Sequence, residues 1–480
     1  MTIIRMMKLD MDRKKALKKR FDTLAPKREF WRNRNRYYYD DQLKFFKFLI
    51  PEGSSIIEFG CGTGDLLKGL KPKRGVGVDI SPAMLEIARE RYPELEFREA
   101  DIEQIGGWGE TFDVLIISDV VGHLSDIEET FRRLRAFCRK DTRVIISYYN
   151  FLWEPILQFG EISGLKMPQQ YQNWLSSEDI CNLLSLAEFQ VVKSECRLMI
   201  PKRIPWLSDF INRYFATLPG VRKLTLCRYI VARPINLEGK RDYSVTVLIP
   251  CLNEKGNVEE AVKRIPEFGK SREIIFVDGH STDGTQEEVK RMMEMYPDKD
   301  IKLMIQDGEG KGDAVRKGFA GAGGDILMIL DADLTVPPED LPKFYRVLAK
   351  DQGEFVNGCR LVYPMEKQAM RFLNLLGNKF FSLAFTWLLN QRIKDTLCGT
   401  KALFRKDYKR LAANRSYFGE FDPFGDFDLI FGAVKLNLEI IEVPIRYRER
   451  TYGSTNISRF SHGWLLLKMT LFAYRKIKAI

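Results

Sequence analysis

The 480-residue chain is 45% hydrophobic and 29% charged, a soluble globular composition too long for one ordinary core, so two or three domains are expected. Its eight cysteines include no CxxC pair and it has only three histidines, which argues against a disulfide framework or a zinc site and for a reducing cytoplasm. The net charge of +11 attracts phosphate-bearing partners without choosing among nucleic acid, an anionic membrane surface and nucleotide-linked substrates.

The basic opening has no long apolar core, and no stretch approaches the roughly 18 uninterrupted apolar residues of a spanning helix. Neither secretion nor a transmembrane anchor is expected. A solvated helix around Arg13–Arg20 and an aromatic-rich helix, Tyr37–Leu49, precede the run SSIIEFGCGTGDLLKGL. In it Ser54–Phe59 reads as a strand, and Gly60, Gly62 and Gly64 turn the chain tightly into a helix near Asp65, which lets backbone approach a ligand. A second strand in GVGVDIS ends at Asp79, placed to accept hydrogen bonds from a ribose.

The glycine spacing separates two cofactors. A dinucleotide fold would show GxGxxG, whereas Glu58–Gly64 reads ExGxGxG and resembles motif I of the class I S-adenosylmethionine-dependent methyltransferases. Asp79 is similar to that family's ribose-binding acid, Ala100-Asp101-Ile102 to the segment beside the adenine, and Phe112–Leu124 to the fourth-strand motif. The resemblance covers Tyr37 to Ser147 and implies S-adenosylmethionine held by Glu58, Gly60, Gly62, Gly64, Asp79 and Asp101. Strands at Arg143–Tyr148, Gln190–Cys196 and Arg228–Ala232 would complete the sheet. Methyl transfer needs alignment more than a base. His123 is weighed as a base against packing at a helix start, and Phe151–Trp174 as an acceptor-side cover against ordinary packing.

Arg233–Asp242, RPINLEGKRD, has the Pro, Gly and charge of a domain boundary, giving domains at 1–233 and 243–480 with a linker at 234–242. Strands at Val245–Ile249, Glu273–Val277, Lys302–Ile305 and in the run ILMIL, each followed by a loop and a helical pattern, predict a parallel sheet. The last strand stops at Asp331 and Asp333. Two carboxylates so close repel unless a cation lies between them, and Mg²⁺ or Mn²⁺ in the company of phosphates is the expected ion. The competing reading is an acidic turn in which Asp333 caps the next helix.

This half resembles the family 2 glycosyltransferases, particularly the dolichyl-phosphate mannose synthases and related polyprenyl-phosphate sugar transferases. Pro250–Glu254 matches the family's P-x-x-N-E opening, Asp278–Thr285 its nucleotide-binding turn, Gly310–Ala314 its GKGxA turn and Asp331-Ala332-Asp333 its metal motif. Asp395–Lys401, Gly425–Leu429 and Arg450–Thr455 extend the match. The resemblance implies a GT-A type nucleotide-sugar domain, a UDP- or GDP-linked donor contacted by Pro250, Asn253, Glu254, Asp278, Lys311 and Arg450, a metal on Asp331 and Asp333, and inversion. It also implies a polyprenyl-phosphate acceptor at a membrane surface, or a glycan hydroxyl for which Asp426 is the matching base; Asp426 as a helix N-cap is the alternative. Two departures stand out: Gly279 occupies the position of a second aspartate, and Thr335 that of a glutamine.

Apolar stretches at Arg371–Asn390 and Trp464–Tyr474 are read as amphipathic helices that either lie on a bilayer or pack in the core. The fold class is α/β in two domains, a Rossmann-like methyltransferase sheet followed by the nucleotide-sugar domain. The function expected is a bifunctional methyl- and sugar-transferring enzyme, cytoplasmic or peripheral on the inner face of the membrane. The alternative is a glycosyltransferase with a non-catalytic cofactor-binding module. Ser118–Val121 lacks an Asn/Asp-Pro-Pro-Tyr-like base-flipping motif, so no nucleic-acid partner is expected.

Overall fold

A computed structural model describes residues 2–168, 172–237, 241–362, 372–414, 426–448, 450, 452 and 467–479, and side chains except those of 2–12, 372–379 and 426. The chain divides into two compact units, Met1–Glu238 with Lys478–Ile480, and Gly239–Ile477. The last three residues thus belong with the first unit, where the Lys478 ammonium donates to Glu195 at 3.0 Å.

The first unit is built on seven strands: β1 Ser55–Phe59, β2 Arg74–Asp79, β3 Glu96–Glu99, β4 Val114–Ser118, β5 Arg143–Tyr149, β6 Phe189–Arg197 and β7 Cys227–Pro234. Their order is β3-β2-β1-β4-β5-β7-β6. The first five are parallel, and β7 runs antiparallel to β5 and β6. The central strands are almost wholly buried, as expected where helices cover both faces of a parallel sheet. Between β1 and β4 the strand order reverses, which opens a crevice at their carboxyl ends. The helix Arg36–Leu49 buries Tyr38, Gln42, Phe45, Phe46 and Leu49, a helical spacing that lays one stripe on the sheet. Phe45 meets Tyr229 edge-on with centroids 4.7 Å apart.

The second unit has strands β8 Val245–Cys251, β9 Arg272–Asp278, β10 Asp300–Ile305, β11 Ile326–Ile329, β12 Phe355–Cys359, β13 Lys401–Phe404 and β14 Ile440–Pro444, ordered β10-β9-β8-β11-β13-β12-β14. The run β8 to β11 is parallel as the sequence predicts. Beyond it the sheet is mixed, because β13 lies antiparallel against both β11 and β12. That reversal matters for the site: with Met328 opposite Ala402, the residues just before β13 arrive beside the carboxyl end of β11, where Asp331 stands.

The helix Phe372–Leu389 fulfils the helical reading of that stretch. Phe385, Leu388 and Leu389 are fully buried, whereas Phe380 and Leu383 are exposed. Its described end therefore packs in the core along one face. Residues 453–466, which hold part of the second apolar stretch, lie outside the described residues.

Candidate functional site

In the first unit the turn after β1 is shaped by glycine. Gly60, at φ +74°, donates its N–H to the Val78 carbonyl at 2.7 Å, and a Cβ there would stand 2.2 Å from the Val120 side chain. Asp79, at the end of β2, holds the loop: Oδ2 accepts the Gly62 N–H at 2.8 Å and Oδ1 the Ser81 N–H at 2.9 Å. Burial raises its carboxyl above the ordinary range despite these donors. Glu58, Gly60, Gly62, Asp79 and Asp101 line one cavity. Gly64 is not part of its wall; at φ +75° it starts the helix Asp65–Leu70, with Phe97 2.7 Å from where a Cβ would be.

Burial, with Asp65 and Asp79 adding to it, pushes Glu58 up to about 8, so at neutral pH it is mostly protonated. Its Oε2 is buried without a partner. Asp101 accepts from the Lys14 ammonium at 2.8 Å and from the Glu103 N–H at 2.9 Å, which ties the opening helix over this end of the cavity.

The far wall holds groups that sequence reasoning passed over. Asp119, just after β4 at φ +57°, accepts from the Tyr38 hydroxyl at 2.7 Å, Gln42 Nε2 at 3.3 Å and the Ser147 hydroxyl at 3.3 Å. Arg28 also borders the cavity, its guanidinium 5.5 Å from the Tyr39 ring centroid and 3.8 Å from the Met167 sulfur. Met167 is the part of the Phe151–Trp174 stretch that lines the cavity, while residues 169–171 lie outside the described residues. The available signal for Arg28 and Tyr38 was the basic and aromatic run before β1, in which the sequence reading marks only a solvated helix and an aromatic-rich one.

His123 sits in the turn Val121–His123, edge-on to Phe21 with centroids 5.8 Å apart. Its Nδ1 is buried without a partner, and burial lowers the ring to about 4. A base that weak contributes little proton abstraction at neutral pH, which favours the packing role. Because the unfolded chain takes up the proton first, this histidine's contribution to stability is complete above about pH 6.5 and falls away as the pH drops toward 4. His123→Gln should remove that slope, on the order of 2 kcal/mol across the window, in unfolding titrations compared at pH 7 and pH 4.5.

In the second unit the loops after β8 and β9 are stitched together. Asn253, at φ +56°, accepts the Thr282 N–H at 2.9 Å and donates its own N–H to the Ser281 hydroxyl at 2.8 Å. The Glu254 N–H reaches the Thr285 hydroxyl at 3.0 Å. Pro250 pairs with Val277 inside the sheet. Asp278 is fully buried; Oδ2 accepts from the Ser281 N–H at 3.0 Å and Gln286 Nε2 at 2.7 Å, while Oδ1 has no partner. A buried carboxylate oxygen left unpaired at a strand end is costly unless a ligand donates to it.

The paired aspartates follow β11, on the other side of β8 from β9. Lys311 Nζ is 2.6 Å from Asp331 Oδ1. Burial alone would raise Asp331, but Lys311, with Lys401 and Arg360 behind it, holds the carboxyl below its usual range. Asp333 is raised by burial and by Asp331, and its Oδ1 accepts the Thr335 N–H at 3.2 Å and hydroxyl at 2.9 Å. Gly399, just ahead of β13, closes on this pair: a Cβ there would stand 2.2 Å from Asp331 Oδ2 and 2.3 Å from Lys311 Nζ. Arg450 pairs with Glu254 and donates to the Tyr452 carbonyl at 2.6 Å. Asp426 opens the helix Asp426–Lys435, and its side chain lies outside the described residues.

A further buried ion pair was not foreseen: Arg360 grips Asp395 through Nε at 2.7 Å and Nη2 at 2.8 Å. Asp331 and Asp333 fit a divalent cation, since one carboxyl is raised by the other and a positive ion relieves that repulsion. Among the described residues no group of three or more His, Cys, Asp or Glu gathers into a metal-ligand set.

Residues 30–194 match the family model described as methyltransferase domain, and residues 246–411 the model of glycosyl transferase family 2. A dolichol-phosphate mannosyltransferase of Pyrococcus furiosus is 30% identical over 239 residues, 49% of this chain and 64% of that relative's length. Glycosyltransferase AglJ of Haloferax volcanii is 27% identical over 237 residues, covering 49% of this chain and 72% of AglJ. A solved SAM-dependent methyltransferase of Thermotoga maritima, titled a possible histamine N-methyltransferase, aligns at 19% identity with a TM-score of 0.36, covering 44% of this chain and 97% of that one.

Proposed function

Because this chain carries a methyltransferase domain followed by a family 2 glycosyltransferase domain, we propose that it is a bifunctional enzyme. In this reading it transfers a methyl group from S-adenosylmethionine in its first unit. In its second it transfers a sugar, with inversion, from a UDP- or GDP-linked donor to a polyprenyl-phosphate or glycan acceptor. The observation that carries the reading recurs in both units: an acid at the end of the strand beside the first one, Asp79 or Asp278, faces a loop whose N–H groups it organises. Such an acid at a strand's carboxyl end suits a nucleoside.

In the first unit, the cofactor supplies an electrophilic methyl group. The chain's task is alignment, for which Asp79 takes the ribose and the glycine turn admits the amino-acid part. Arg28, beside the same cavity, is the cation suited to that part's carboxylate. Arg28→Ala should raise KM for S-adenosylmethionine about tenfold or more, the scale of one charge-assisted contact, with kcat little changed. Adenosine, which lacks the carboxylate, should bind both proteins alike in calorimetry.

In the second unit, a Mg²⁺ or Mn²⁺ ion at Asp331 and Asp333 would neutralise charge on a leaving diphosphate. Lys311 and Arg450 add fixed positive charge beside it, and Asp278 takes the nucleoside. A phosphate acceptor is already ionised and needs no base; a hydroxyl acceptor would call on Asp426. The test is incubation with labelled UDP- and GDP-sugars and a polyprenyl phosphate, with and without Mn²⁺. Metal-dependent transfer of one sugar supports the proposal, and absence of transfer from every donor to lipid and glycan acceptors alike would sink the glycosyltransferase assignment. Binding of S-adenosylhomocysteine without methyl transfer to any acceptor would leave the first unit a binding module.

A further inference from the structure

Outside the cavity of the first unit, a set of that unit's apolar side chains turns outward. In the helix Glu154–Ile162, Leu157 is buried, while Ile156, Phe159 and Ile162 are 56%, 67% and 86% exposed. The segment Leu207–Phe210 continues through Ile211–Phe215. Two of its polar side chains turn inward, since Ser208 is fully buried and Asn212 Oδ1 accepts the N–H groups of Met199 and Ile200 at 2.8 and 2.9 Å, while Asp209 and Arg213 are exposed. Leu207, Phe210, Tyr214 and Phe215, with Leu218 just beyond the segment, are exposed. Trp206 precedes the segment, 90% exposed and at φ +68°, a conformation uncommon for a bulky residue.

Hydrogen bonds tie the ends of the two segments together. The Asn150 N–H donates to the Leu226 carbonyl at 2.8 Å, Trp153 Nε1 to the Leu224 carbonyl at 2.8 Å, and Lys202 Nζ to the Leu165 carbonyl at 3.4 Å. Single exposed apolar residues are ordinary; a continuous patch of them marks an interaction surface. The charge says which kind. Over residues 151–166 and 201–224 stand six cations, Lys166, Lys202, Arg203, Arg213, Arg222 and Lys223, against three acids, Glu154, Glu161 and Asp209; Glu161 is paired with Lys166, and Asp209 accepts from the Tyr37 hydroxyl at 2.9 Å. An apolar aromatic surface edged by cations is the composition of a helix lying in an anionic lipid interface. A second copy of this face would instead set one net excess of three positive charges against another.

We propose that this face, built from residues 151–166 and 201–224, seats the chain on an anionic bilayer. It is distinct from the first unit's nucleoside site, since its exposed side chains lie outside that cavity. It is also close to it along the chain: the Gly160 carbonyl accepts the Lys166 N–H at 2.9 Å, one residue before Met167 in the cavity wall. A lipid-borne acceptor would therefore meet the methyl-transfer unit at the membrane surface.

The test is flotation of the intact chain with vesicles of phosphatidylcholine alone or mixed with phosphatidylglycerol, at low and physiological salt. Binding should require phosphatidylglycerol and weaken with salt. The triple variant Phe159→Ser, Ile162→Ser, Phe210→Ser should lose on the order of tenfold or more in partitioning, as removal of inserted apolar side chains implies, with S-adenosylhomocysteine affinity unchanged as proof of folding. Arg203→Glu with Lys223→Glu should weaken binding to the mixed vesicles, and this pair decides by the same criterion should the triple variant misfold. The proposal is overturned if the variants float like the parent chain. It is equally overturned if the parent chain ignores vesicles, or proves to be a dimer that the triple variant converts to a monomer.

Discussion

Asp333→Asn should leave the chain folded and abolish sugar transfer, with a loss of 100-fold or more on the order-of-magnitude scale of metal catalysis. The substitution keeps shape and removes one charge, and a capping aspartate replaced by asparagine would lose almost nothing. It therefore separates a metal ligand from a structural turn. Stability gives a second readout. Asp333 is raised by burial and by the neighbouring Asp331, so the folded chain holds this proton more tightly than the unfolded one. Its contribution to stability is full below the ordinary carboxylate range and declines as pH rises through the raised value. At neutral pH without metal, Asp333→Asn should accordingly unfold no earlier than the parent chain, and Mn²⁺ should stabilise the parent more than the variant. Near-normal transfer that ignores a chelator would show the pair to be structural.

Asp79→Asn should weaken S-adenosylhomocysteine binding by roughly 100-fold, the scale of losing a charged acceptor shared by ribose hydroxyls, about 3 kcal/mol. Part of the loss comes through the loop, because the same carboxylate accepts the Gly62 and Ser81 N–H groups and an amide can replace only one of those oxygens as an acceptor. Adenosine should suffer the same loss in this variant, whereas Arg28→Ala spares adenosine. Calorimetry with both ligands on both variants distinguishes the ribose end of the cavity from the carboxylate end. Unchanged affinity of Asp79→Asn would move the nucleoside elsewhere.

Much of this architecture was legible because its punctuation is local. The apolar runs before Gly60 and before Asp331 stop at glycine or aspartate, and those stops are where the strands β1 and β11 end in space. The parallel runs of both sheets followed from strands alternating with helical patterns. What the sequence hid depends on distant partners. Tyr38 and Asp119 are 81 residues apart, and nothing local to either indicates the bond. Lys311 was read as a partner for phosphate, and only the fold brings it onto Asp331 at 2.6 Å. The antiparallel entry of β13 places Gly399 against that pair, a consequence of topology that no motif spacing states. Gly64 looked like its neighbours Gly60 and Gly62, but its task is the start of a helix. That Leu207, Phe210 and Leu218 face outward likewise depends on packing that no local pattern states.

The central claim is that one chain holds two separate nucleoside sites, one in each unit. The most direct test is calorimetric titration of the intact chain with S-adenosylhomocysteine, then, at saturation, with UDP or GDP in the presence of Mn²⁺. The account predicts one equivalent of each ligand bound, the second unaffected by occupancy of the first, with Asp79→Asn losing the first event alone and Asp333→Asn the second alone. Competition between the two ligands, or failure of either to bind under any of these conditions, would contradict it.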